Sequence, residues 1–143
     1  QFRAREIEEE AIRARQEQIT QERAVAEQQK VTLTPEEQAL LASIIFCEAG
    51  NQPYEGQVAV GAVILNRVKS GSYPNSVAEV IYQPGQFGPA MTGWLDTVLA
   101  SGSYTPTAMQ AAVDAAAGSN PIGECLYFGN GNYGILIGDH YFH

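Results

Sequence analysis

The run Val58-Ala59-Val60-Gly61-Ala62-Val63-Ile64-Leu65-Asn66-Arg67-Val68 leaves the chain little choice of interior. It is small, branched and apolar almost throughout, so it must be covered on most sides. At about eleven residues it is long for a β-strand. Its alanines and glycine suit a helix packed closely by its neighbours. We read it as the central buried helix of the domain. Gly61 would admit another backbone, and the polar pair Asn66-Arg67 would close the run.

A second apolar run, Leu40-Leu41-Ala42-Ser43-Ile44-Ile45-Phe46-Cys47, precedes it and ends on Glu48-Ala49 before the break Gly50-Asn51-Gln52-Pro53. Its start is well marked: Thr34 can cap, Pro35 suits the first helical position and Glu37 completes a capping box. Ala39, Leu40, Ile44 and Ile45 recur at the spacing of one buried helical face. Glu48 therefore stands where a hydrophobic wall meets an opening. A carboxyl there loses hydration of its charged form, its pKa rises, and a Glu that keeps its proton near neutrality can act as a general acid. The plainer local reading is a helix-end carboxylate pointing to water.

Elsewhere the pattern is helical with one β segment. Positions 1 to 33 contain neither Gly nor Pro and are rich in Glu, Gln, Arg and Ala, which predicts a long solvated helix. Phe2, Ile7, Ile12, Ile19, Val25 and Val31 are spaced too irregularly for a clean coiled-coil seam. Such a helix is either a stalk that tethers or self-associates, or a spacer. Ser76-Val77-Ala78-Glu79 reads as a second capping box opening a short helix. Residues 83–93 read as a loop, with Met91 and Trp94 as one wall of a groove. Thr105-Pro106 opens an Ala-rich helix that Gly118 would end. Cys125-Leu126-Tyr127-Phe128 and Ile135-Leu136-Ile137 flank a glycine-rich loop and read as a hairpin. The expected architecture is α+β and mainly helical: residues 1–33 as an exposed helix, residues 34–143 as a compact domain.

Charge narrows the partners. Six of the eight basic residues lie in positions 1 to 33, and the remainder sets Arg67 and Lys69 against nine acidic residues. That domain lacks the basic footprint that nucleic acid or an anionic membrane requires. A neutral or cation-bearing glycan is compatible with it. No apolar run reaches the ~18 residues of a membrane span. Because Gln1 opens inside a helical pattern without Met, an export signal is expected upstream of it.

Three blocks carry a family resemblance: Glu48-Ala49 followed by Pro53-Tyr54-Glu55-Gly56-Gln57-Val58-Ala59-Val60 and the run to Val68; Tyr82-Gln83-Pro84-Gly85-Gln86-Phe87; and the terminal His140-Tyr141-Phe142. In identity, spacing and order they resemble the cell wall hydrolase family of spore cortex-lytic enzymes (the SleB family), from about Thr34 to His143. The resemblance implies a small lysozyme-like domain, exported to the cell wall or spore cortex. It implies cleavage of peptidoglycan glycan strands, typically as a lytic transglycosylase working with a single Glu, here Glu48. Gln86 would line the substrate groove, and Asn66, Phe87, Tyr127 and His140 complete the candidate substrate contacts. Where the family usually follows Glu-Ala with Arg, Gly and an acidic residue, this chain has Gly50, Asn51 and Gln52. No cofactor or metal is expected, the two Cys and two His being too scattered for a metal site.

Several rival readings stand beside this one. A hydrolase would need a second carboxylate, for which Glu55 is the nearest candidate in sequence; otherwise Glu55 is a helix-start carboxylate. Cys47 with His140 could be a thiol–imidazole pair acting on amide bonds, although buried thiols are mostly inert. Cys47 and Cys125 could pair as a disulfide in an exported protein. Arg67 is expected to make a structural ion pair with an acidic neighbour. A non-catalytic glycan-binding module is the remaining alternative.

Overall fold

The computed structural model describes residues 2–143, with the side chains of Phe2 and residues 25–29 excepted. Phe2 and Val25 of the apolar positions named above thus lie outside the described side chains. Helix α1 runs from Phe2 to Gln29. Its described side chains are exposed, Ile7, Ile12 and Ile19 by 61%, 57% and 42%. The chain docks at Val31, whose N–H donates to Ala116 O at 2.8 Å, and Val31 and Leu33 pack against the core.

Helix α2 (Pro35–Ala49) starts as its sequence demands. The Thr34 hydroxyl accepts from the Glu37 N–H at 3.1 Å and the Thr34 N–H donates to Glu37 Oε1 at 3.0 Å. After Gly50-Asn51-Gln52-Pro53 the chain re-enters helix as α3 (Tyr54–Lys69). The long apolar run is indeed helical: Val58 to Leu65 are all buried. Helix α7 (Pro106–Ala116), capped by the Thr105 hydroxyl on the Ala108 N–H at 3.0 Å, lays Ala108, Ala111, Ala112 and Ala115 against α2 and α3. The closest approach is at Gly61, where an added Cβ would stand 3.0 Å from the Ala115 Cβ and 3.1 Å from the Ile45 Cδ1. Gly61 is thus needed because three helices meet at it.

Three shorter helices cover one side of α2. They are α4 (Val77–Ile81), with the Ser76 hydroxyl on the Glu79 N–H, α5 (Gly88–Thr92) and α6 (Trp94–Ser101). The expected loop over 83–93 therefore holds a helical turn. Pro89 starts α5, and Gly93, at φ +86°, ends it and turns the chain into α6.

The β segment departs from expectation. Strands β1 (Phe128–Gly129), β2 (Ile135–Ile137) and β3 (His140–Phe142) form an antiparallel sheet in the order β1-β3-β2. Phe142 faces both Phe128 and Ile135 in register. The anticipated pairing of the 125–128 segment directly with 135–137 does not form; the C-terminal strand lies between them. The reason is the tight turn at Gly138-Asp139. Gly138 has φ +59° and none of the described non-Gly residues has positive φ, the pattern of a two-residue type II′ hairpin between β2 and β3. The glycine-rich segment is the crossover from β1, and Gly134 passes so close that a Cβ would overlap the Phe142 carbonyl oxygen. No helix among the described residues is long and apolar enough to cross a membrane.

Filling the point where α2, α3 and α7 meet should be costly. Gly61→Val is expected to lower the free energy of unfolding by about 1–3 kcal/mol, the scale of overpacking a filled core. Urea denaturation reads it, and an unchanged midpoint would show that the three helices can separate there freely.

Candidate active site

Glu48 occupies the last turn of α2, one turn beyond Ile44 and Ile45, which are fully buried, and beside equally buried Ala49. Its own side chain is half-buried. That environment raises the Glu48 pKa above the ordinary carboxylate value. Burial alone accounts for the shift, and no donor or cation among the described residues pulls it back. The group therefore keeps its proton to higher pH than an exposed glutamate does. Next to it, the Cys47 thiol is pushed up to about 11, first by burial and then by the Glu48 charge. A thiol so raised is a poor nucleophile near neutrality. Cys47 and Cys125 are both free thiols, so they do not pair here, and the raised Cys47 thiol does not favour a thiol–imidazole pair.

The other candidates gather around Arg67. This side chain is 5% exposed and donates from Nε to Leu126 O at 2.7 Å and from Nη1 to Gln86 Oε1 at 3.2 Å. Its guanidinium carbon lies 5.0, 5.4 and 5.5 Å from the ring centroids of Tyr73, Phe87 and Tyr127. The expected ion pair with an acidic neighbour is thus replaced by a carbonyl, an amide and π faces. Burial lowers the Arg67 pKa, partly offset by Tyr73 and Tyr127, and no carboxylate contributes. A planar five-donor cation can be satisfied in this way by hydrogen bonds along its edge and rings over its face. The signal available in sequence was its place beside Asn66 at the end of a buried helix.

Each remaining candidate has a defined place. Gln86 is exposed, with its carbonyl oxygen held by Arg67. Phe87 is 2% exposed and belongs to the core, 6.2 Å from the Phe128 ring, so it supports the neighbouring surface from beneath. Asn66 gives its amide hydrogens to Gly123 O at 2.8 Å and Cys125 O at 2.9 Å, tying down the approach to β1. Tyr127, 47% exposed, stacks on His143 at 5.5 Å. His140 packs 5.4 Å from Phe128, its Nδ1 buried without a partner and its pKa lowered first by burial, an effect that Asp139 opposes. Phe46, two residues before Glu48, meets exposed Trp94 edge-on at 6.4 Å, so this Trp borders the end of α2.

Gln86, Phe87 and Tyr127 are thus brought together by Arg67, and His140 joins them through Phe128. None of these ring and hydrogen-bond contacts includes Glu48. The link runs instead through Gln52, which sequence reasoning noted only as a departure from the family pattern. Gln52 is 9% exposed, donates from Nε2 to Asp139 Oδ2 at 3.0 Å and accepts the Asp139 N–H on Oε1 at 2.8 Å. Glu55 lies elsewhere: it lines a cavity of about 330 Å³ with Tyr54, Val58, Ser119, Asn120 and Pro121, which includes none of the other candidates. Among the described residues no cluster of His, Cys, Asp and Glu could hold a metal ion.

Comparison with known proteins identifies the family and the fold. The family model described as Cell Wall Hydrolase matches residues 51–135, a span beginning just past Glu48. The spore cortex-lytic enzyme of Bacillus cereus is 44% identical over 95 residues, 64% of this chain and 33% of that protein. That of Bacillus subtilis (strain 168) is 44% identical over 95 residues, 64% of this chain and 28% of that protein. The chain thus spans about a third or less of these relatives' length. Among solved structures, the catalytic domain of the germination-specific lytic transglycosylase SleB from Bacillus anthracis superposes with a TM-score of 0.67 at 34% identity, covering 77% of this chain and 95% of that one. The catalytic domain of the Bacillus cereus SleB protein does so with a TM-score of 0.68 at 34% identity, covering 78% and 91%. The lysozyme-like fold expected from sequence is the one found.

The direction of the Glu48 shift sets how stability depends on pH. Its folded-state pKa exceeds the unfolded value, so between the two the folded chain holds the extra proton and stability falls as pH rises through that window. Glu48→Gln, neutral throughout, should match the wild type in acid and exceed it above the folded-state pKa in urea melts across pH. A wild type that gains on the variant as pH rises would mean the ionised carboxylate is held by a partner. For the second cluster, Arg67→Lys keeps the charge but loses the fork and the flat face, and should lower unfolding free energy by roughly 1.5–3 kcal/mol. Urea midpoints equal to wild type would show that Arg67 does not organise these residues.

Proposed function

The chain belongs to the cell wall hydrolase family, and from that premise we propose that residues 34–143 form a catalytic unit cleaving peptidoglycan glycan strands between N-acetylmuramic acid and N-acetylglucosamine, as a lytic transglycosylase. The observation that carries this reading is the Glu48 carboxyl: half-buried at the end of α2 and raised in pKa by burial, with no neighbouring carboxylate among the causes of the shift.

One carboxyl suffices for the transglycosylase route. Neutral Glu48 gives its proton to the glycosidic oxygen as the C1–O bond breaks, releasing the leaving sugar with a free hydroxyl. The resulting Glu48 carboxylate then takes the proton of the muramoyl 6-hydroxyl as that oxygen bonds to C1, closing a 1,6-anhydro ring. Glu48 ends protonated again. Atoms and charge balance without a protein nucleophile and without water. A hydrolase would instead need a carboxylate to activate water or to bond the sugar, and the cavity that Glu55 lines does not include Glu48.

The rest of the cluster supplies a wall for the sugar. Exposed Gln86, Tyr127 and Trp94 present an amide and ring faces of the kind that hold glycans. Asn66, Phe87 and His140 act from behind, as tie, plug and packing partner. Export to the wall or cortex belongs to the same proposal, as does a stalk role for residues 1–33. Ile12 and Ile19, exposed on α1 and seven residues apart, are the positions through which such a stalk would self-associate.

The test uses purified vegetative sacculi and spore cortex with wild type and Glu48→Gln, reading released muropeptides by mass. We expect anhydro-muropeptides, lighter by one water than hydrolytic products, and a fall of roughly 10²–10⁴-fold in the variant. Near-normal turnover by Glu48→Gln would overturn the role of this residue. Products with reducing ends would turn the reading to hydrolysis, and binding without any release to a glycan-binding module.

A further inference from the structure

The turn between β2 and β3 sits unusually close to the segment that follows Glu48. At Gly138 a Cβ would overlap Gln52 Oε1 and stand 2.8 Å from Pro53 Cδ. Gln52, four residues past Glu48, holds this turn with both ends of its carboxamide: Oε1 accepts the Asp139 backbone N–H at 2.8 Å and Nε2 donates to Asp139 Oδ2 at 3.0 Å. A second layer fixes Gln52 itself. Its backbone N–H donates to Ala49 O at 2.9 Å, and its carbonyl accepts from Gln57 Nε2 at 3.1 Å, Gln57 being 4% exposed. Ile137 is packed against Gly56 across the same junction, its Cγ2 at 3.6 Å from where a Gly56 Cβ would stand.

We propose that Gln52 and Asp139 form a positioning pair that sets the β2–β3 turn, and with it His140 and β3, at a fixed place relative to the Glu48 carboxyl. The inference rests on Glu48 being the acid, as proposed above. It follows from the connectivity. Glu48 makes none of the ring or hydrogen-bond contacts of the Arg67 cluster, while His140 directly follows Asp139 and reaches that cluster through Phe128. The Gln52–Asp139 pair is the hydrogen-bonded link between the end of α2 and the sheet. A pair of this geometry also has a defined chemistry, one amide facing one carboxylate. Two carboxylates would repel and leave an acceptor facing an acceptor.

The pair can therefore be reversed. With Glu at 52 and Asn at 139, one glutamate oxygen still accepts the backbone N–H of residue 139 and the other accepts from the Asn amide, so both hydrogen bonds survive with donor and acceptor exchanged. The single change Gln52→Glu breaks the second bond and sets two carboxylates face to face, which should push the β2–β3 turn away from the segment that follows Glu48.

The experiment compares wild type, Q52E, D139N and Q52E/D139N at a temperature where circular dichroism shows each to be folded. Initial rates of muropeptide release are measured at low and saturating sacculus concentration across pH. We expect Q52E to lose about tenfold in saturated rate with less than twofold change in half-saturation. Q52E/D139N should return within about twofold of wild type. Amide exchange at the residue 139 N–H supplies a readout independent of activity: faster in Q52E, restored in the double variant. A folded Q52E with wild-type rate, or a double variant that stays as slow as Q52E, would overturn the pair as a positioning device. Should the wild type release nothing while the exchange pattern appears as expected, the enzymatic reading fails and the pair is reduced to a structural clasp. Loss of rate that merely follows loss of folded protein would likewise reduce it to a clasp.

Discussion

The meeting of α2, α3 and α7 at Gly61 decides where everything else can go. Because Ala115 and Ile45 come within contact distance of a residue without a side chain, α2 is held along its buried face and its last turn ends at a fixed place. Glu48 is on that last turn, so its environment follows from how α2 is packed. Its half-burial is the visible consequence, and the raised pKa is the chemical one. A looser core would let the end of α2 fray into water and return Glu48 to an ordinary carboxylate.

Local signals in the chain carried the helical framework well. Thr34, Pro35 and Glu37 mark the start of α2 because a capping box needs only residues three apart, and Thr105-Pro106 marks α7 by a hydroxyl cap followed by Pro at the first helical position. Gly61 was legible because a lone glycine inside a buried helix implies a close neighbour. The sheet was not, since strands of two and three residues carry almost no period, and the partner of β1 is settled by the Gly138 turn rather than by its nearest flanking segment. Helices α5 and α6 escaped for a related reason: Pro89 and Gly93, which read as loop punctuation, here start and end a single turn.

Within the candidate site, residue type was readable and residue role was not. Arg67 in an acidic domain invited an acidic partner, yet the structure gives it a carbonyl, an amide and three rings. Desolvating a guanidinium is expensive, and edge-on hydrogen bonds with facial π contacts offset that without a second buried charge. The arrangement also keeps a buried carboxylate out of the cluster. Gln86, Phe87 and Tyr127 are thereby ordered around a cation whose charge is spread over several neighbours. Sequence cannot show this, because the rings and carbonyls come from segments up to about sixty residues away in the chain.

A single acid that must first give and then take a proton works best when nothing else holds it. A carboxyl whose pKa is raised by burial alone, as at Glu48, gains neutrality from its surroundings without a partner that would hold its proton or its charge. Had the shift come from a neighbouring carboxylate, that neighbour would also compete for the proton and supply the second acid–base group that hydrolysis uses. Had a cation stood close, the group would be ionised too early to donate. In the proposed reaction a sugar bound over Glu48 would strip away the remaining water, which favours the protonated form further at the moment donation is needed. Breaking the glycosidic bond then leaves positive character on the sugar, and this stabilises the carboxylate just formed. Under the proposed mechanism the substrate itself would drive the change from acid to base, the protein's contribution being to keep one carboxyl at the end of a firmly packed helix.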